Sequence, residues 1–383
     1  MPKQKLIDLS SFYSAYKLLI KAAKTTVNSI NENPSPLVEF CNILSEVKES
    51  GNKVHVVGMG RSGKSGMLLG EILKNIGFNV SYLGKSLAKP VRKDDAVIGV
   101  TGSGWTNFTC KAIEDSISEN AKILVLTSNI GSKAARLADS IIQIPRPTGF
   151  IQSKTRLKNH APLTPMGTVF EMNSLIVGMG IFSGLNDESF VKGFNEGVNE
   201  ALKAAEMTLA NLRRVQKPLV EFIRILEAFS YHPDRQMFIY GSGLDSIVAS
   251  ISSIRLSHLK INVKSNYDWR FRQKNDALIA ISGSGVSTST LERVESSKSA
   301  NMKIIGLTSF SESTLAKEAD IFLQIEGRPE QISVDLRQIT DLGFFVPSFE
   351  YVSAITLDSC VAQLAQDRGI TESEMKAEHA NIE

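Results

Sequence analysis

The chain has 383 residues, a length that fits about two domains, and its 42% hydrophobic and 22% charged residues are typical of a globular protein. A net charge of +3 without a basic face argues against nucleic-acid binding, and three scattered cysteines argue against a disulfide framework or a structural zinc site. Because no apolar run reaches the roughly 18 residues of a membrane span and the amino-terminal stretch does not resemble a signal peptide, we expect a cytoplasmic protein that does not bind membranes.

The elements alternate between helices and short apolar strands along the whole chain. Helical periodicity over about residues 10–50 precedes the runs VHVVG, VSYL, AVIGV, ILVLT and IIQI, and a further helix is predicted over about 167–186. The same order returns after helices predicted over about 195–231 and ends with a helix over about 347–367. Such runs are typical of parallel strands buried on both faces. Each half therefore predicts a five-stranded parallel sheet sandwiched by helices, a flavodoxin-like or Rossmann-like α/β fold.

The two halves are related in sequence as well as in pattern. KVHVVGMGRSGKS resembles QMFIYGSGLDSI, VIGVTGSGWT resembles LIAISGSGVS, and AKILVLTSN resembles MKIIGLTSF. Gly102 and Gly283 lie 181 residues apart, as do Thr127 and Thr308. A constant spacing across several blocks indicates a tandem duplication. We predict a first domain over residues 1–205 and a second over 206–383.

The loop after the first strand reads GMGRSGKS over residues 58–65. It resembles a dinucleotide-binding loop, but that motif requires an acidic residue at the end of the second strand. The second strand ends in the sequence SYLG over 81–84, without an acid, and the spacing is also not that of a P-loop. We therefore expect neither nucleotide cofactor binding nor a P-loop.

The loop after the third strand alternates hydroxyls and glycines, TGSGWT over residues 101–106, and then begins a helix. Glycines let backbone N–H groups approach an anion, hydroxyls add donors, and the helix dipole favours negative charge. The simpler interpretation is a capped tight turn. The turn recurs as SGSGVS over 282–287, which favours a metal-free phosphate site in this position.

These motifs resemble the sugar isomerase (SIS) domain family, and within it the 6-phospho-3-hexuloisomerases. The resemblance is carried by GMGRSG at 58–63, PMGTVFE at 165–171 and the terminal HANIE at 379–383. It implies interconversion of 3-hexulose 6-phosphate and fructose 6-phosphate through a cis-enediolate, without a metal or redox cofactor. Single-domain members form tetramers, so the resemblance also implies a homodimer of fused chains, a pseudo-tetramer of SIS domains.

The resemblance assigns roles to residues of both halves. Glu171 matches the catalytic base, Arg61 the arginine of the first loop and His379 the histidine of the tail. The residues that match phosphate binders are Ser62, Thr101, Ser103, Thr106 and Ser128. The second-half candidates are Ser282, Ser284, Ser287, Glu350 and His258, the last within the family-like stretch RLSHL.

The sequence departs from the family pattern in an informative way. Trp105 and Val286 replace the glutamate usual in the hydroxyl-rich turn, and the second half has Leu244 and Asp245 where Arg61 and Ser62 would lie. The first half, conversely, lacks the tail histidine. We therefore hypothesise one composite site per chain, in which the first half supplies the phosphate loops, Arg61 and Glu171, and the second half supplies His379. The second cleft would then be degenerate or regulatory.

Three other functions stay open at this point. The chain could be another aldose–ketose isomerase of the family, acting on glucose, mannose or arabinose phosphates, although the HANIE tail argues against this. A non-catalytic sugar-phosphate sensor is disfavoured by the lack of a basic recognition helix and by the retained Glu171. A paralogue with decayed clefts would account for Trp105.

Overall fold

The computed structural model describes residues 7–145, 163–165, 167–232, 234–265, 273–329 and 345–378. These residues form two compact units, each built on one sheet. The first-sheet unit comprises 21–145 and 167–202, and the second-sheet unit comprises 7–20, 163–165 and the described residues from 203 onward. The boundary predicted after residue 205 stays a prediction, because helix α7 (Phe190–Arg214) runs through it without a break.

The amino-terminal half contains the first sheet. Its other helices are α1 (Ser10–Glu32), α2 (Ser35–Glu49), α3 (Gly60–Asn75), α4 (Asn107–Ser118), α5 (Lys133–Arg136) and α6 (Thr168–Gly184). Its strands are β1 (Lys53–Val57), β2 (Asn79–Tyr82), β3 (Ala96–Val100), β4 (Lys122–Thr127) and β5 (Ser140–Gln143). All strands are parallel, in the order β2-β1-β3-β4-β5.

The carboxyl-terminal half repeats this architecture. Its helices are α8 (Lys217–Tyr231), α9 (Leu244–Ser257), α10 (Thr288–Ser299), α11 (Thr314–Glu318), α12 (Ser348–Asp367) and α13 (Glu372–Ala377). Its strands are β6 (Met237–Gly241), β7 (Val263–Ser265), β8 (Ala277–Ile281), β9 (Lys303–Thr308) and β10 (Ile321–Gln324). The parallel order β7-β6-β8-β9-β10 has the topology of the first sheet, so the predicted pair of five-stranded α/β domains is confirmed.

Burial explains why the sequence forms these layers. The central strands β3 and β8 are buried along their whole length, as expected for a parallel sheet that helices cover on both faces. Helix α6 and helix α12 are buried on nearly every side, which accounts for the lack of a polar face in their sequences. Each of these buried helices carries one glutamate in its first turn, Glu171 in α6 and Glu350 in α12.

An aspartate fixes the start of the central strands in each unit. Asp95, just before β3, accepts hydrogen bonds from the backbone N–H groups of Lys53 at 2.8 Å and Arg92 at 2.9 Å. Asp276, just before β8, accepts the equivalent bonds from Gln236 and Gln273, both at 2.8 Å. This shared device ties neighbouring strands together at the amino edge, opposite the loops that carry the hydroxyl-rich turns.

The strand order also predicts where a ligand binds. Because the chain runs outward in opposite directions from β1 and β3, the crevice between their carboxyl ends is the topological switch point of the sheet. The loop of 58–65 and the turn of 101–106 both open onto this crevice. Among the helices that the structure describes, none is both long and apolar enough to span a bilayer.

Candidate active site

The turn after β3 is held in shape by its own hydroxyls and glycines. The N–H of Gly104 donates to Thr101 Oγ1 at 3.1 Å, and the N–H of Ser128 donates to the carbonyl of Gly102 at 3.2 Å. Gly104 has a φ of 72°, and a side chain there would collide with Ser132, so only glycine fits. The alternation of Gly and Ser/Thr in the sequence is thus required by the turn itself.

The same turn leaves the start of helix α4 open to a ligand. Thr106 is the N-cap residue, but its side chain makes no capping bond; its Oγ1 lies 3.3 Å from Thr101 Oγ1 instead. The Ser103 hydroxyl is exposed and accepts the N–H of Trp105 at 3.1 Å. Uncapped N–H groups at a helix start favour an anion.

Trp105 lies at the surface beside this turn. Its side chain is 52% exposed, and the Arg136 guanidinium lies 5.4 Å from the ring centre. The residue that replaces the usual glutamate therefore forms an exposed cation–π contact and leaves the crevice to the backbone and hydroxyl groups.

A buried ion pair lies at the start of α6. Arg61 Nη1, from the first turn of α3, lies 3.5 Å from Glu171 Oε2, and both side chains are at most 10% exposed. The same nitrogen donates to Thr168 Oγ1 at 3.3 Å. Ser65 Oγ lies 3.2 Å from the carbonyl oxygens of both Arg61 and Glu171, which joins the two helices at this point. Sequence reasoning missed Thr168 and Ser65, although both lie inside the motifs GRSGKS and PMGTVFE.

The hydroxyl-rich turn and the ion pair meet at one place. Gly102 faces the ring of Phe170, and a Cβ on Gly102 would lie 3.0 Å from that ring. Phe170 directly precedes Glu171, so the turn packs against the helix start that carries the carboxylate. Gly167, with a φ of 81°, begins this helix, and a Cβ there would lie 3.2 Å from Glu171 Oε1.

Lysines add positive charge near the first turn of α3. Partial burial lowers the pKa of Lys64, and the positive charge of nearby Lys85 lowers it further. A dianionic phosphate placed beside Lys64 would oppose both effects. In the second half the matching position is Ile247, so the difference between the two halves marks Lys64, although no motif does.

The second-sheet unit reproduces the turn in detail. The N–H of Gly285 donates to Ser282 Oγ at 3.1 Å, and Gly285 has a φ of 68°. The N–H of Ser309 donates to the carbonyl of Gly283 at 3.2 Å, and the N–H of Val286 donates to Ser284 Oγ at 3.4 Å. Ser287, the N-cap of α10, has no side-chain cap bond, and its Oγ lies 2.7 Å from Ser242 Oγ.

The charges around the second turn are different. Glu350 is fully buried and forms an ion pair with Arg328, which follows β10. Asp245 is also buried, and its Oδ2 accepts the N–H of Gly283 at 3.4 Å. Burial raises the pKa of Asp245 well above its ordinary value, and the negative charge of Glu350 adds to this shift. Burial likewise raises the pKa of Glu350, although Arg328 opposes it.

The remaining predicted residues fall in three places. Ser62 is half-buried in the first turn of α3, within the first crevice. His258 is buried at the C-cap of α9, about 20 Å along that helix from Asp245, so it does not join the second cluster. His379 lies outside the described residues. Within the described residues no group of three His, Cys, Asp or Glu side chains could hold a metal ion.

Known proteins resemble each half of this chain separately, and some solved structures resemble both halves together. The SIS domain family model matches residues 49–157 and 230–341. A 3-hexulose-6-phosphate isomerase from Methylomonas aminofaciens is 29% identical over 148 residues, which cover 38% of this chain and 80% of the relative. An uncharacterized protein from Aeropyrum pernix is 29% identical over 204 residues, covering 50% of this chain and 96% of the relative. The crystal structure of tagatose-6-phosphate ketose/aldose isomerase from Escherichia coli covers 95% of both chains with a TM-score of 0.63; at 13% identity this likeness shows the fold alone.

Proposed function

Because this chain belongs to the SIS domain family and carries the domain twice, we propose that it interconverts 3-hexulose 6-phosphate and fructose 6-phosphate in its first-sheet cleft. Membership of a sugar-phosphate isomerase family supports the class of reaction. The specific substrate rests on the relatives named 3-hexulose-6-phosphate isomerase and on the GMGRSG, PMGTVFE and HANIE motifs. We further propose a cytoplasmic homodimer, which the mass of the purified chain in light scattering would test.

The observation that carries the proposal is the position of Glu171. Its carboxylate lies at the start of a buried helix, 3.5 Å from a guanidinium and against the hydroxyl-rich turn through Phe170. A carboxylate beside an anion-binding turn can take a proton from a carbon of a sugar held by its phosphate. Such positioned proton transfer accelerates a reaction by roughly 10²–10⁴-fold.

In the proposed reaction Glu171 removes the proton from C2 of 3-hexulose 6-phosphate and returns it to C3. The hydroxyl proton of O2 moves to O3, so the carbonyl passes from C3 to C2 and no redox partner is needed. The intermediate enediolate carries negative charge on these oxygens. Arg61 is well placed to stabilise it, because its guanidinium already lies beside Glu171.

The phosphate would bind at the turn of 101–106. The Ser103 and Thr106 hydroxyls and the uncapped start of α4 supply donors, and Ser62 and Ser128 border the same crevice. His379 is proposed from the family motif to assist at the sugar oxygens or in ring opening.

The test is direct turnover by the full chain. We expect conversion of 3-hexulose 6-phosphate, and much slower or no conversion of glucose 6-phosphate and arabinose 5-phosphate. In D₂O the fructose 6-phosphate formed should carry deuterium at C3, since a carboxylate exchanges its proton with solvent. Preference for an aldose phosphate would reassign the substrate, and binding without turnover of any sugar would favour a sensor.

A further inference from the structure

The two hydroxyl-rich turns share their backbone but differ in the charges around them. In the first-sheet cleft one arginine, Arg61, faces one glutamate, Glu171. In the second-sheet cleft one arginine, Arg328, faces Glu350 and shares its surroundings with a second carboxylate, Asp245. When all these groups are ionised, the second cleft carries one more negative charge than the first.

Asp245 stands where the first half has Ser62, and it already uses a donor of the turn. Its Oδ2 accepts the N–H of Gly283, one of the backbone groups that could otherwise face a phosphate. Its other oxygen, Oδ1, and Glu350 Oε2 have no hydrogen-bond partner among the described residues. A phosphate entering here would therefore meet two buried acceptors, and the one described arginine that contacts this turn, Arg328, is already paired with Glu350.

Arg328 does not offset the two carboxyl groups for a bound phosphate, because its positive charge is already paired with Glu350. Its guanidinium bonds to Glu350 and lies 4.6 Å from the ring centre of Phe345 and 5.6 Å from that of Phe349. Its side chain also covers Gly283, where any Cβ would collide with it. In the first unit the matching glycine, Gly102, is covered by the uncharged ring of Phe170 instead.

We propose that the Asp245 carboxyl group closes the second-sheet cleft to phosphate esters, because it occupies the N–H of Gly283 and, once ionised, repels the phosphate, so that each chain binds a single phosphate, in its first-sheet cleft. The single-phosphate clause rests on the proposed function; the closure of the second cleft by Asp245 does not. A charge of the same sign a few ångströms away in a buried site lowers affinity for a phosphate by about 100-fold or more. Removing it would leave the second cleft with one arginine and one glutamate, as in the ion pair of the first, although Ile247 still stands in place of Lys64.

The test counts phosphate sites on the full chain by equilibrium dialysis with radiolabelled inorganic phosphate. We expect one site for the wild type and two for Asp245→Ser, which installs the residue of the first half. Ser103→Ala should weaken the site of the wild type, whereas Ser284→Ala should leave it unchanged. In the Asp245→Ser background, Ser284→Ala should weaken only the added site. Asp245→Asn, which keeps the shape of the side chain, is a second variant in case serine disturbs the fold.

The outcomes separate the two proposals. A wild type with no site, together with an Asp245→Ser variant that gains one, would refute the proposed first-sheet site and retain the inference. A wild-type site that Ser284→Ala weakens would overturn the inference, since the second cleft would already be open. The inference would fail equally if folded Asp245→Ser and Asp245→Asn, each checked by circular dichroism, bound no more phosphate than the wild type.

Discussion

The two units have the same sheet topology and the same turn, yet they obtain an arginine for their buried glutamate from different loops. In the first unit Arg61 comes from the loop after β1, and in the second Arg328 comes from the chain after β10. The glutamate of the second unit therefore has a cationic partner although its loop carries Leu244 in place of the arginine. A buried carboxylate therefore needs a cationic partner in either unit, whether or not it takes part in catalysis.

What separates the clefts is how completely each is filled by its own side chains. Glu350 has no exposed surface and Arg328 only 10%, and the second turn is covered by that arginine. In the first cleft Ser103 is exposed and Ser62 is half-buried, so donors remain within reach of a ligand. The comparison predicts that substitutions in the first cleft change turnover, whereas those in the second change stability.

The largest effect should come from the two glutamates. We expect Glu171→Gln to lower kcat by roughly 10²–10⁴-fold, because an amide cannot accept the proton of the sugar. The matched variant Glu350→Gln should leave kcat within a few-fold of the wild type. Steady-state turnover of 3-hexulose 6-phosphate by both variants checks this. If Glu350→Gln abolished turnover and Glu171→Gln did not, the assignment of the active cleft would be reversed.

The next effect concerns Arg328 and stability. Arg328→Met should lower the free energy of unfolding by about 3–5 kcal/mol, because it leaves Glu350 buried without its cation. Turnover at a temperature where the variant is folded should be nearly unchanged. Denaturant unfolding measures the first quantity and steady-state kinetics the second.

A double variant tests whether the loss of stability comes from the unpaired charge of Glu350. Adding Glu350→Gln to Arg328→Met removes both partners of the ion pair and should recover much of the lost stability. A double variant no more stable than Arg328→Met would mean that Arg328 acts through its ring contacts with Phe345 and Phe349 rather than through its charge.

A pH-dependent effect should follow from Asp245. Burial and the charge of Glu350 hold the pKa of Asp245 above the ordinary value of 3.8, so between pH 3.8 and this raised pKa the folded state keeps a proton that the unfolded state releases. Stability should therefore fall as pH rises above about 3.8, by at most about 1.4 kcal/mol per pH unit for this group. Asp245→Asn lacks this loss and should be more stable than the wild type at pH 7 but not at pH 4. Thermal unfolding of both proteins between pH 4 and pH 7 tests this expectation. A stability difference between the two proteins that does not change with pH would contradict the raised pKa of Asp245.

The fold could be predicted because its two signals, the apolar runs and the repeated blocks, can be read along the sequence without knowledge of contacts. The five apolar runs of the first half matched β1 to β5, and the repeat spacing predicted the second sheet from the first. The placement of Glu171 beside Arg61 was accessible only through the family motif, since 110 residues separate them in the chain. The role of Arg328 was not accessible, because no motif marks a residue that reaches a cleft from the edge of the sheet. Asp245 was noticed as a missing Ser62, but its bond to Gly283 depends on side-chain geometry that sequence does not contain.

The smallest expected effect tests the amino edge, where the contact of Asp95 with a histidine has no counterpart at Asp276. His55 Nε2 lies 3.1 Å from Asp95 Oδ2, and the second unit has Phe238 at the matching position. Burial lowers the pKa of His55 below its ordinary value of 6.5, with the bond to Asp95 opposing the shift, so the folded state binds fewer protons than the unfolded state. This contribution to stability is present above about pH 6.5 and is lost as pH falls through the lowered pKa.

We expect His55→Phe to be slightly less stable than the wild type at pH 7, because Asp95 loses one partner and keeps its two backbone donors. The deficit should shrink or reverse at pH 5, and turnover should not change, because this contact lies at the edge of the sheet opposite the cleft. Unfolding at the two pH values decides the matter, and a deficit that grows on acidification would mean that His55 is charged in the folded protein.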